Sequence, residues 1–117
     1  MKDFQSFAEF YPFYLSEHRN GVCRTLHVIG STSALAMVTT ALTAGPLWLL
    51  ALVPLAGYGP AWVGHFGFEK NKPASFKHPL WSFIGDWAMI RDVAMGRIPL
   101  TGELSDGAIQ QASGPPA

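Results

Sequence analysis

Between Arg24 and Glu69 the chain runs 44 residues without one Lys, Arg, Asp or Glu, and a histidine stands near each end, His27 and His65. At a rise of ~1.5 Å per helical residue and a hydrocarbon thickness of ~30 Å, one crossing of a bilayer takes ~20 residues. The stretch is therefore long enough for two crossings and a turn. A helical hairpin returns its ends to the same side. His18 and His78, in the polar flanks, then join His27 and His65 on one face, and these are all the histidines of the chain. A soluble bundle burying two such helices would need apolar cover on every side. The rest of a 117-residue chain is too small to provide it.

Composition narrows the field. Charged residues are 14% of the chain, lean for a soluble domain, which averages ~25%. A formal net charge of zero and the lack of a basic patch interleaved with aromatics argue against nucleic acid as a partner. The single cysteine, Cys23, allows no internal disulfide, no thiolate zinc site and no cysteine-attached haem. Asp3 and Glu9 interrupt the start, so it does not read as a signal peptide.

The expected fold is all-α: an integral membrane hairpin with two crossings, flanked by interfacial amphipathic helices, about four helices in total. Residues 3–17 place Phe4, Phe7, Ala8, Tyr11, Tyr14 and Leu15 at the spacing of one helical face. Ser6 with Glu9 predicts a capping box, Asp3 an alternative earlier cap, and Pro12 a break or kink. The aromatic rings suit the headgroup level. The first crossing is predicted over 25–44, rich in Ser, Thr and Ala that let membrane helices approach. Gly45-Pro46 makes the turn. The return over 47–68 meets Pro54 and then Gly57-Tyr58-Gly59-Pro60, which predicts a kink or partial unwinding lining a cavity. Pro79 opens another helix over 79–96, with Leu80, Phe83, Ile84 and Trp87 loosely on one side. Its Asp86, Arg91 and Asp92 keep it at the surface, and Asp86 reads as a helix-surface or ion-pair residue. Residues 1–97 thus make one membrane-embedded domain, and 98–117 read as a disordered tail. All eight basic residues flank the hairpin on the histidine side, so the positive-inside rule puts that face in the cytosol. A bacterial inner membrane or the endoplasmic reticulum fits equally.

Imidazole is a common ligand for iron, zinc, copper and nickel, and four histidines converging on one face predict a mononuclear metal site of His18, His27, His65 and His78. Glu69, four residues after His65, shares its helical face and can ligate, orient an imidazole, or simply pair with Lys70 or Lys72. Asn20 can hold a water or a ring N–H. Arg24 can receive a substrate carboxylate or a phospholipid headgroup. HExxH, GxSxG and the histidine boxes of di-iron membrane desaturases are all missing. Haem held between His27 and His65 for electron transfer, or a non-catalytic scaffold with incidental histidines, are the competing readings.

Two segments carry a resemblance. YLSEHRNGVCRTLHVIG (14–30), read as H-x-N-x-x-x-R-x-L-H-x-x-G, and GHFGFEKNKPASFKHPLWSFIGDWAM (64–89), opening G-H-x-x-F-E-K-x-x-P-A, are similar to the two signatures of the 2-hydroxy fatty acid dioxygenase family. The likeness covers about residues 11–96. It implies an Fe(II)-dependent dioxygenase of fatty acid α-oxidation that converts a 2-hydroxy fatty acid and O₂ into the acid one carbon shorter. The family's functional histidines fall on His18, His27 and His65. An acyl chain would lie along the hairpin helices in the lipid bilayer, with its polar head at the metal.

Overall fold

The computed structural model describes residues 4–113, which form five α-helices and no strand. Helix α1 spans Phe7–Ser16. The predicted capping box forms in a shifted version: Ser6 Oγ accepts from the Glu9 N–H, while Glu9 reaches back to the Gln5 N–H, one residue before the cap. Asp3, the alternative cap, lies outside the described residues. The helix runs through Pro12 instead of ending there, so the proline costs one backbone hydrogen bond without dividing the segment. Phe10, Tyr11, Tyr14 and Leu15 are buried in the protein core, so these rings serve packing and not the headgroup layer.

Helix α2, Gly21–Thr43, and the continuous apolar helical segment Leu47–Glu69 are each long and apolar enough to cross a membrane. Asn20 caps α2 by accepting from the Val22 and Cys23 N–H groups. Threonines 32, 39 and 43 donate their hydroxyls to carbonyls one turn earlier, which satisfies them inside an apolar helix. The chain turns at Gly45-Pro46 as expected. The return begins as a 3-10 turn over Leu47–Leu52, becomes α3 over Val53–Val63 and ends in a π-helical turn over Gly64–Glu69. The irregularity expected at 54–60 thus sits at the two ends of α3, which runs through Pro60. Close approach fixes the crossing: a Cβ on Gly30 would lie 2.6 Å from the Gly57 carbonyl oxygen.

Helix α4 covers Pro79–Ala94. Its inner face is small and polar, with Ser82, Gly85, Ala88, Met89 and Asp92 buried, while Leu80, Phe83 and Ile84 point outward. Disorder was expected from residue 98, and the structure corrects this. Ile98, Leu104 and Ile109 are buried against α1 and α4, and α5 forms over Asp106–Ser113. Three well-spaced apolar residues and hydrogen bonds from Arg19 and Arg24 hold a segment whose periodicity is too weak to read. The expectation for residues 114–117 lies outside the described residues.

Candidate metal centre

Each of three histidines comes from a different segment. His18 follows α1, where its N–H bonds the Leu15 carbonyl. His27 lies two turns into α2. His65 is carried by the π-helical turn, the kind of local insertion that re-aims a side chain. All three are at least 96% buried, at 1, 4 and 1% exposure, and their ligating nitrogens lie within 4.8 Å of one another. The ring planes are nearly perpendicular in every pair, with centroids 4.4, 4.6 and 4.8 Å apart.

The outer nitrogens decide what this cluster is. His18 Nδ1 lies 2.5 Å from the Tyr14 carbonyl oxygen, and His27 Nδ1 lies 2.8 Å from that of Cys23. His65 Nδ1 lies 2.7 Å from Asn71 Oδ1. The Asn71 amide cannot flip without loss, because its Nδ2 donates to the Glu17 carbonyl at 3.1 Å. All three partners are acceptors only, so each Nδ1 carries the proton and each Nε2 presents a lone pair. Burial first, and then the neighbouring His27 and His65, hold His18 well below the ordinary histidine range, which keeps it neutral. His18 Nε2 and His27 Nε2 stand 3.1 Å apart. With neither protonated there is no hydrogen bond between them. At a metal–nitrogen length of ~2.1 Å, that separation corresponds to an angle of about 95° at a shared ion, close to adjacent positions of an octahedron. Three buried, neutral imidazoles with converging lone pairs can hold a metal ion, and they leave its other coordination positions to solvent or substrate.

The remaining expected site residues are placed elsewhere. His78 is not brought into the three-histidine cluster: it packs among Phe4, Phe10, Phe13 and Trp81, the last stacked at 6°. The polar loop that precedes it turns the chain into α4 on the aromatic side of the core. Glu69 accepts a hydrogen bond from the Asn20 N–H and so ties the end of the return helix to the start of α2. There its charge also meets the positive end of that helix. Asn20 is a helix cap and Arg24 a structural clamp. The Arg24 guanidinium is fully buried and donates to the carbonyls of Pro99, His18, Arg19 and Gly102, at 3.0, 2.9, 2.7 and 2.5 Å. Four of its five N–H donors are so engaged, and Arg24 does not line the cavity beside the histidines. Asn71 and Tyr14 orient the ligands and went unread in the sequence, although Tyr14 stands one turn before His18.

The histidines open onto a cavity of about 240 Å³ that runs between α2, the return helix and α4. Its walls are mostly apolar, from Ala34, Val53, Pro54, Gly57, Tyr58 and Trp62. Asp86 lines it too. It is neither a surface nor an ion-pair residue, since it accepts the Tyr14 hydroxyl, and burial lifts it to about 7 even though that hydrogen bond acts in the opposite direction. Haem between His27 and His65 would need a flat slot between their nitrogens, and His18 fills that space.

Fold and site together define a class: a small all-helical protein with two membrane-length helices and a buried tri-histidine cluster, able to hold a metal ion, beside an apolar cavity. Within that class, the chain belongs to the Mpo1-like family, 2-hydroxy-palmitic acid dioxygenase Mpo1-like, whose sequence model matches residues 4–98. Comparison with curated proteins and with solved structures gave no match.

Proposed function

We propose that this protein is an Fe(II)-dependent dioxygenase of fatty acid α-oxidation, embedded by its hairpin in a membrane with the metal centre at the cytosolic face. Its substrates are a 2-hydroxy fatty acid and O₂. The balance closes with one O₂ per turnover: the acid one carbon shorter, CO₂ and water. The observation that carries the reading is the common tautomer of His18, His27 and His65, each Nδ1 tied to an acceptor so that three Nε2 lone pairs converge. Iron(II) in that position would supply the one-electron chemistry that lets O₂ react with an organic substrate.

The chain's own residues account for the rest. Three neutral ligands leave the cation its full charge, which favours an anionic, chelating head such as a 2-hydroxy carboxylate. Tyr14, Cys23 and Asn71 hold the imidazoles in fixed orientation. Trp62, Tyr58, Val53 and Pro54 offer an acyl chain an apolar wall along the return helix. Leu35, Leu42, Leu47, Trp48 and Leu55 remain outwardly exposed, as a lipid-facing surface requires. Acid head at the metal and tail toward the bilayer is the pose this arrangement favours.

The test is direct. Protein purified without oxygen and loaded with Fe(II) should bind about one iron per chain and convert 2-hydroxypalmitate to pentadecanoate under air, read by mass spectrometry. Iron-loaded protein that leaves 2-hydroxypalmitate unshortened would overturn the assignment.

A further inference from the structure

Helix α4 contributes two polar groups to the cavity, Ser82 and Asp86, which lie one turn apart and so on the same helical face. Ser82 is 5% exposed, and its hydroxyl has no hydrogen-bond partner among the described residues. Threonines 25, 32, 39 and 43 all turn their hydroxyls back onto a carbonyl one turn earlier. Ser82 does not. A buried hydroxyl left unpaired is destabilising, so a site that keeps one is matched to something that enters.

Asp86 stands beside it in a complementary state. One carboxylate oxygen accepts the Tyr14 hydroxyl, and the other has no hydrogen bond among the described residues. Tyr14 in turn stacks on His18, centroids 4.0 Å apart, and receives the His18 Nδ1 proton at its carbonyl. The Asp86 carboxyl is therefore one residue removed from the metal centre. Together the wall offers one free donor and one free acceptor. An alcohol uses both at once, because its oxygen accepts while its proton is donated. A carboxylate, with acceptors only, would be repelled by an ionised Asp86.

We propose that Ser82 and Asp86 are a hydroxyl-reading pair: the 2-hydroxyl of the acid accepts from Ser82 Oγ and donates to the free Asp86 oxygen. This rests on the 2-hydroxy acid reading above and adds the residues that select it. An acid without the hydroxyl leaves both groups unpaired beneath the bound chain, which is how hydrogen-bonding sites reject such analogues.

Full-length protein in detergent, loaded with Zn(II) so that no turnover occurs, is titrated with 2-hydroxyoctanoate and with octanoate while its tryptophan fluorescence is followed. Wild type should prefer the hydroxylated acid by about tenfold or more. Ser82→Ala and Asp86→Asn should bring that preference to about threefold or less, with octanoate affinity unchanged in Ser82→Ala and equal or higher in Asp86→Asn, and Ser82→Thr should keep the wild-type preference. Ser82→Ala removes no hydrogen bond, so its melting temperature should equal or exceed that of wild type. Folded Ser82→Ala that keeps the full preference overturns the pair while leaving the 2-hydroxy acid reading intact. Wild type without any preference overturns both.

Discussion

The two ends of this molecule obey opposite rules. At the histidine end, α1, α4 and residues 98–109 bury Phe10, Tyr14, Leu15, Met89, Ile98 and Leu104, together with Arg24, Asp92 and three histidines. Arg24, Asp92 and the outer nitrogen of each histidine are paired with other protein groups. At the hairpin end, Leu42, Leu47, Trp48 and Leu55 are 64–69% exposed, and the two long segments bury only 17% and 11% of their most apolar windows. The core helices of a soluble protein would be mostly covered. Here one end makes its own interior, and the other leaves two segments of membrane-spanning length with their apolar side chains uncovered.

The sharpest way to break that division is at the ligands. Removing one imidazole leaves two, too few to fix a mononuclear centre. His65→Ala should reduce metal content to about a tenth of wild type or less, measured by elemental analysis. His78→Ala should leave stoichiometry unchanged, because its ring is engaged with Phe10 and Trp81. Equal loss in both variants would return the site to four histidines.

Next in size is the clamp. Arg24→Ala strands the carbonyls of His18, Arg19, Pro99 and Gly102, and a cost of about 3 kcal/mol or more is expected. Thermal unfolding should report it, and the Arg97–Ile98 bond should become open to trypsin. At the opposite end, Leu55→Arg would be nearly silent on a water-exposed helix but should cost roughly 2.5–3.5 kcal/mol of insertion if Leu55 faces the bilayer centre. A membrane-insertion assay separates the two. Asn71→Ala comes after these. It frees the His65 ring to rotate and should weaken metal binding about 10–100-fold with the fold intact.

What could be read from sequence follows the same division. The hairpin was legible because forty-four uncharged residues with a Gly-Pro at their middle have few other uses, and its ends set His27 and His65 near each other by topology alone. Ser6 and Glu9 announced the first helix through local chemistry. The rest depends on contacts distant in sequence. Arg24 meets Pro99 and Gly102 more than seventy residues away, and Tyr14 meets Asp86 across a similar gap. Nothing local distinguishes such partners from solvated ones. The packing of residues 98–109 was lost for the same reason: Ile98, Leu104 and Ile109 share no periodicity, and two arginines hold them. His78 shows the converse, since lying near the right face in sequence order did not bring it to the other three histidines.

Cys23 gives the smallest and most discriminating effect. It is fully buried, one turn before His27, and its sulfur lies 3.7 Å from the His27 ring, so proximity alone would make it a fourth ligand. Its position says otherwise. The sulfur approaches Nδ1, the side of the ring that donates to the Cys23 carbonyl, while Nε2 faces His18. A thiolate behind the ring cannot share an ion with the nitrogens in front of it. Its packing role is plain, because Gly64 passes so close that a Cβ there would lie 2.9 Å from the sulfur. Cys23→Ala should therefore lower stability by about 1 kcal/mol through lost packing and leave metal affinity within about threefold of wild type. If cobalt-substituted protein shows a thiolate charge-transfer band that this variant abolishes, the centre is not purely nitrogenous, and the division between ligand face and packing face fails at its closest point.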